Sequence, residues 1–297
     1  AWESLSGYLD RFQIWLSDQR NAEDPSLVFV LFNGFASFLD DLVGWLFTAL
    51  TEMTWAGTTA TATLLSLRFG GVRAGAVMLS ALASFALLGL WSESMETLSL
   101  MVAAVALSLL VGIPVGIAAG RSDRVQRALA PVLDAMQIVP AFAYLMPVVI
   151  LFSVGPGAAV VTTMIYAVPP AVRITALGIR SVPRETVEAA RAMGATSRPL
   201  LLKVQLPLAR RMILLSVNQT ILFALSMVVI AGLIGGSGLG DTVTNGLYSN
   251  PALAVLAGVA IVIMAIALDR ATEAAAVRAD PARRHLTPAD VRRLRLA

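Results

Sequence analysis

Long apolar stretches recur along this chain near residues 53–67, 74–91, 95–119, 135–154, 157–179, 209–234 and 252–269. A bilayer's hydrocarbon core is about 30 Å thick and takes roughly 20 apolar residues to cross at 1.5 Å rise per residue. The stretches therefore predict about seven transmembrane helices, and the expected fold class is an all-α polytopic membrane protein. The first span is the most polar, carrying Thr54, Thr58, Thr59, Thr61 and Thr63, although threonine hydroxyls can return their hydrogen bonds to the helix backbone.

Composition agrees with this reading. The chain is 57% hydrophobic and 14% charged, against about 25% charged in soluble domains, and its mean hydropathy is +0.78. One soluble core would not hide that much apolar surface. With no cysteine and one histidine, His285, disulfides and thiolate metal sites are excluded and metal chemistry has almost no ligands.

Residues 26–50 hold a further apolar run, but Asp40 and Asp41 would fall at its midplane, where an ionised group is costly. Phe29, Phe32, Phe35, Leu39, Leu42, Val43 and Leu46 recur at spacings of three and four, which predicts an amphipathic interfacial helix. The competing reading is a true first span with its aspartates turned inward.

Positive charge sets the expected orientation. Only Arg11 and Arg20 of the 22 Lys and Arg precede residue 68; the others fall at Arg68 and Arg73, at Arg121 to Arg127, between Arg173 and Arg211, and from Arg270 onward. The seven-span count puts all these later groups on one side and Glu93, Glu96, Asp241 and the acidic N-terminal region on the other. The expectation is an extracytoplasmic segment at 1–25 with the N-terminus outside. A transmembrane domain follows at 53–270 with a cytoplasmic loop at 181–208, then a basic cytoplasmic tail at 271–297. The net charge of +3 then reflects topology, and no nucleic-acid partner is implied. Six tail arginines, Arg278, Arg283, Arg284, Arg292, Arg293 and Arg295, have the chemistry to meet anionic membrane lipids.

The loop at 181–208 is a polar, helix-forming insert between apolar segments. Pro183 suits a helix start, and Glu185 and Glu188 favour the positive end of the helix dipole. Val187, Ala190 and Ala195, with Ala189 and Met193 beside them, predict a shallow surface of small side chains that a partner's backbone can approach closely. Gly194 permits a sharp turn after the helix, and Pro207 punctuates the return to the membrane. A short helix-turn-helix is expected.

Glu188-Ala189-Ala190, Gly194, Val204 and Leu206-Pro207 meet the EAA-loop pattern of ABC importer permeases at every position, with valine for isoleucine as the one substitution. The segments Trp91–Leu98, Val111–Ile117 with Arg121–Arg124, Asp134–Pro147 and Gly232–Gly240 extend the resemblance, to the permeases of glycine betaine and proline betaine importers of the quaternary amine uptake group. The resemblance implies a type I ABC importer permease fold in the bacterial cytoplasmic membrane. It further implies a homodimer with two copies of an ABC ATPase subunit, fed by an external substrate-binding protein. Glu188, Ala189, Ala190, Gly194, Val204, Leu206 and Pro207 would then couple the permease to the ATPase, which would hold the ATP and Mg; no cofactor is expected on this chain. Cargo of the betaine, choline, carnitine, trimethylamine N-oxide, proline or histidine type is implied.

A phosphate-binding P-loop needs Gly-x4-Gly-Lys-Ser/Thr, and the only lysine, Lys203, stands in Leu201-Leu202-Lys203-Val204. The chain is thus expected to be no enzyme. The glycine run from Gly235 to Gly240 reads as a tight re-entry or gate loop. Pro114, Pro140, Pro147, Pro156, Pro169 and Pro170 are candidate kinks or hinges. A methylated nitrogen suits aromatic faces and methionine sulfur, which nominates Phe142, Tyr144, Met146, Tyr166 and Met227 for the pathway, with Asn218 and Gln219 as polar groups needing a cavity or protein partner. The competing class is a stand-alone secondary transporter or channel. That class calls for ionisable groups inside the spans, where Asp, Glu, Lys and His are nearly absent.

Overall fold

The computed structural model describes residues 27–278, together with Gly7, Arg11, Ile14 and Trp15. The expectations for 1–25, and those for the tail beyond Arg278, concern segments almost wholly outside the described residues. The described elements are α1 (Leu27–Glu52), α2 (Thr54–Gly70), α3 (Val72–Leu87), α4 (Trp91–Arg121), α5 (Asp123–Ile138), α6 (Leu145–Phe152), α7 (Pro156–Arg180), α8 (Arg184–Ala192), α9 (Leu206–Ala231), α10 (Leu239–Ser249) and α11 (Pro251–Arg278). No strand occurs among the described residues.

Five helical runs are long and apolar enough to cross a membrane: α1, α4, α7, the run Ser197–Ile234 that contains α9, and α11. A sixth arises if α5 and Ala141–Phe152, bent by 106°, are one broken span. The expected spans at 95–119, 157–179, 209–234 and 252–269 coincide with these elements, whereas the one at 135–154 is cut by the 106° bend and covers only the end of α5 together with Ala141–Phe152. Those at 53–67 and 74–91 form α2 and α3, of 17 and 16 residues, about 25 Å each and short of a full crossing. They fold back on one another at Gly71, whose φ of +89° suits glycine.

Conversely α1, expected at the interface, has the length and hydropathy of a span. Its contacts are off-centre, however. Asp40, near its midpoint, accepts a hydrogen bond from the Gly157 N–H at 2.6 Å, satisfying a donor that the first turn of α7 leaves unpaired. Phe32 and Phe35 meet Phe152, the last residue of α6, with ring centroids 5.1 and 6.2 Å apart. The middle of α1 is therefore level with one end of α7, and its aspartate has a backbone partner there.

The tightest packing joins α4, α7 and α9. Gly112, Gly116 and Gly120 form a stripe along α4, where an added Cβ would stand 2.5 Å from Ala171 Cβ, 2.7 Å from Thr175 Cβ and 2.7 Å from Ile179 Cβ respectively. Both series ascend, so α4 and α7 run parallel, and the missing side chains let their backbones meet as small residues do between membrane helices. α9 packs into the same region: Cβ at Gly178 would stand 2.6 Å from Met212 Cβ, and Thr175 and Ser216 share a hydroxyl hydrogen bond at 3.2 Å. A second core of Met78, Phe85, Met95, Met101, Leu225 and Met264 joins α3, α4, α9 and α11.

The prolines divide in their effect. The sharp bend falls at Val139-Pro140, where Val139 is extended (ψ 125°) as the residue before a proline tends to be. Pro156 opens α7, whereas Pro114, Pro169 and Pro170 lie inside unbroken helices.

Candidate functional site

The loop after α7 is built from its caps. Pro183 precedes α8, with Glu185 in its first turn. At the other end Ala195 N–H donates to Ala190 O at 3.0 Å and Gly194 N–H donates to Arg191 O at 2.9 Å. That pair of bonds is a Schellman cap, with Gly194 as its left-handed residue at φ +85°. No atom lies within 4 Å of where a Gly194 side chain would start, so backbone conformation alone accounts for the glycine.

The second half differs from a helix-turn-helix. Ser197–Pro199 and a π-helical stretch, Leu200–Gln205, continue directly into α9. The wide turns precede Pro207, whose ring and absent N–H disturb the α-ladder at the preceding turn. The chain therefore returns to the bundle as one helical run from Ser197 to Ile234, with Pro207 inside it.

Glu188, Ala189, Ala192 and Met193 are exposed, Met193 at 83%. Val187 and Ala190 point the other way. Ala190 is 6% exposed, and Val187 packs against the buried cluster of Ile179, Val182 and Ala209, as do Leu201 and Leu206. The small surface expected at Val187, Ala190 and Ala195 is thus largely the underside of α8, because the apolar stripe of this short helix covers the ends of α7 and α9. Val204 and Leu206 are half-buried in the same base, and Pro207 is exposed.

Polar bonds tie this base to α4 and α5. Arg121 donates to Ser197 O at 3.3 Å and Arg180 to Ala119 O at 2.9 Å. Arg180 also pairs with Asp123 at 2.6 Å, and Arg173 pairs with Asp134. These two ion pairs join antiparallel α5 and α7. Sequence reasoning passed over them; the signal available was Arg173 within the apolar run 157–179.

The pathway candidates do not gather into one site. Tyr166 on α7 faces Phe223 on α9, ring centroids 5.6 Å apart, and the Tyr144 phenol donates to Met136 O at 2.9 Å. Phe223 was missed, since nothing local marks it among the apolar residues of α9. Phe142 and Met146 are exposed on the bent segment at 60% and 56%. Asn218 is buried and donates to Asp269 on α11 at 3.0 Å, Gln219 is half-buried, and Met227 is fully enclosed at 0% exposure.

The glycine run packs against α4 and α7. Gly155 N–H donates to Ile234 O at 2.9 Å and Leu239 N–H to the buried Thr97 hydroxyl at 2.8 Å. Gly235 and Gly238 take φ of +84° and +97°, and α10 then turns back beside α11.

A family model described as binding-protein-dependent transport system inner membrane component matches residues 112–285, more than half of the chain and including the whole loop. The chain belongs to this family. Among family relatives, the glycine betaine/proline betaine transport system permease protein ProW of Escherichia coli is 46% identical over 212 residues, 71% of this chain and 60% of that protein. The glycine betaine transport system permease protein OpuAB of Bacillus subtilis is 39% identical over 276 residues, 91% of this chain and 93% of that protein. The chain spans 60% of the length of the Escherichia coli and Salmonella typhimurium relatives it matches. A chain of the MetNI methionine ABC transporter, solved in inward facing conformations, superposes with a TM-score of 0.59 at 22% identity, covering 64% of this chain and 95% of that one. The family's fold here is the type I importer permease fold.

Proposed function

We propose that this chain is the permease subunit of an ATP-driven importer for a small compatible solute, of the glycine betaine, proline betaine, choline, carnitine or trimethylamine N-oxide type. It works as a homodimer with two ATPase subunits and receives cargo from an external binding protein. The observation that carries the reading is the capped helix α8, which offers Glu188, Ala189, Ala192 and Met193 outward while its underside packs on the ends of α7 and α9. A partner that displaces α8 moves those two helix ends with it. The solute class is supported by the solutes for which the relatives are named, which include trimethylamine N-oxide for a protein of Pelagibacter ubique that is 41% identical over 226 residues.

In this reading the loop faces the cytoplasm, and ATP binding and hydrolysis occur on the partner. α1 lies along the opposite face of the membrane, which accords with its mid-helix aspartate meeting the start of α7. Tyr166 and Phe223 offer aromatic faces to a methylated cation, where attraction is worth about 0.5–2 kcal/mol per ring. The test is uptake of radiolabelled glycine betaine by proteoliposomes holding the complete complex. Glu188→Lys is expected to abolish ATP-driven uptake while the complex still assembles. Normal uptake by that variant, in an intact complex, would remove the coupling assignment.

A further inference from the structure

Where the α2–α3 turn meets the last turns of α11, the bundle leaves an open cleft of about 610 Å³. Its lining carries three guanidinium groups, Arg73, Arg270 and Arg278, against one carboxylate, Glu273. Arg270 reaches Glu273 at 3.2 Å, and Arg278 donates to Arg68 O at 3.4 Å while lying against Gly71, where a side chain would displace it. Among the described residues Arg73 makes no ion pair. The cleft therefore carries a surplus of two positive charges from groups whose planar forks match phosphate oxygens.

Depth decides which phosphate. About 20 residues of α11 from Pro251 cross the hydrocarbon, so Arg270 stands where the helix leaves it, and Arg278 lies about 12 Å further along the axis. Arg73 immediately precedes the apolar run that begins at Ala74. Arg73 and Arg270 thus stand at the headgroup layer, toward which the Arg278 side chain returns to meet Gly71 and Arg68 O. Val72, 78% exposed, and the half-buried Val77 and Val277 flank the same cleft, giving apolar walls where a fully hydrated anion would want polar ones. The floor is rigid, because a Cβ at Gly70 would stand 2.6 Å from Ala74 Cβ and 3.3 Å from Ala274 Cβ.

We propose that this cleft binds the phosphodiester headgroup of an anionic phospholipid, which bridges the α2–α3 hairpin to α11. The proposal stands apart from the transport reading, and its failure would leave that reading untouched.

The test is native mass spectrometry of the full chain in mild detergent, titrated with short-chain phosphatidylglycerol or phosphatidylcholine. Phosphatidylglycerol is expected to bind in preference. Arg73→Gln and Arg270→Gln should each weaken it roughly fivefold, the equivalent of about 1 kcal/mol per arginine. Arg270→Lys, which keeps the charge, should retain more of the binding than Arg270→Gln. Arg127→Gln, an exposed change on α5, should leave it unaltered. If a variant aggregates, the comparison is made between Arg278→Gln and Arg278→Lys, with the same expected order. Equal binding of the two lipids, equal loss in Arg127→Gln, or displacement of the lipid by millimolar inorganic phosphate would each overturn the assignment, the last by giving the cleft to a soluble anion.

Discussion

Replacing Gly194 separates backbone cost from steric cost at the loop. The residue holds φ at +85° with nothing within 4 Å of a prospective Cβ, so alanine fits the space but not the conformation. A left-handed backbone costs an ordinary L-residue about 1–2 kcal/mol. The two cap hydrogen bonds, Gly194 to Arg191 and Ala195 to Ala190, contribute about 0.5–1.5 kcal/mol each. Cost and gain nearly balance, so Gly194→Ala should leave α8 capped for only part of the time, a shift of roughly 5- to 30-fold in the capped population, while the underside at Val187 and Ala190 keeps the loop docked. Asparagine tolerates the left-handed region better, and valine worse. The expected order of coupled uptake is Gly, then Asn, then Ala, then Val, with hydrogen exchange of the 190–196 backbone rising in the same order and thermal stability of the bundle little changed. If alanine matched glycine while asparagine failed, side-chain bulk at the partner surface would govern the position and the backbone argument would be refuted.

Other perturbations probe the packing. Gly116→Leu forces a side chain into a contact already closed against Thr175 and Val172; it should lower the melting temperature in detergent by the equivalent of about 1–3 kcal/mol or more, whereas the same change at Gly44, with open space around it, should do little. Thr97→Val keeps the shape but removes the acceptor for the buried Leu239 N–H, a loss of about 1–3 kcal/mol that should appear as faster exchange at the start of α10. Asn218→Asp sets a second carboxylate against Asp269 and should destabilise the protein, and the swapped pair Asn218→Asp with Asp269→Asn should recover most of the loss in the same thermal assay.

What could be read from the sequence follows the range of the interactions. The helix and turn of the 181–208 loop were legible because their signals are local: Gly194 answers a cap whose partners lie three and five residues away. Four of the long spans, α4, α7, α9 and α11, were legible because hydropathy is a property of a single segment. The glycine stripe on α4 was unread because its reason lies in Ala171, Thr175 and Ile179, some sixty residues on. The partner of Asp40 was unread for the same reason, since it is the backbone of Gly157. Residue type alone nominated the pathway residues, and type does not separate the enclosed Met227 from the ring pair of Tyr166 and Phe223.

The Asp40–Gly157 hydrogen bond gives α7 a fulcrum. From Gly157 to Arg180 the helix measures about 35 Å. A sideways push of one helical turn's height, about 5.4 Å, at the α8 end would swing α7 through about 9° around that carboxylate. Tyr166, nine residues from the pivot, would travel about 2 Å, scaled from the rise per residue. Lever geometry thus converts a loop displacement into a graded movement, smallest near Asp40 and largest at the loop.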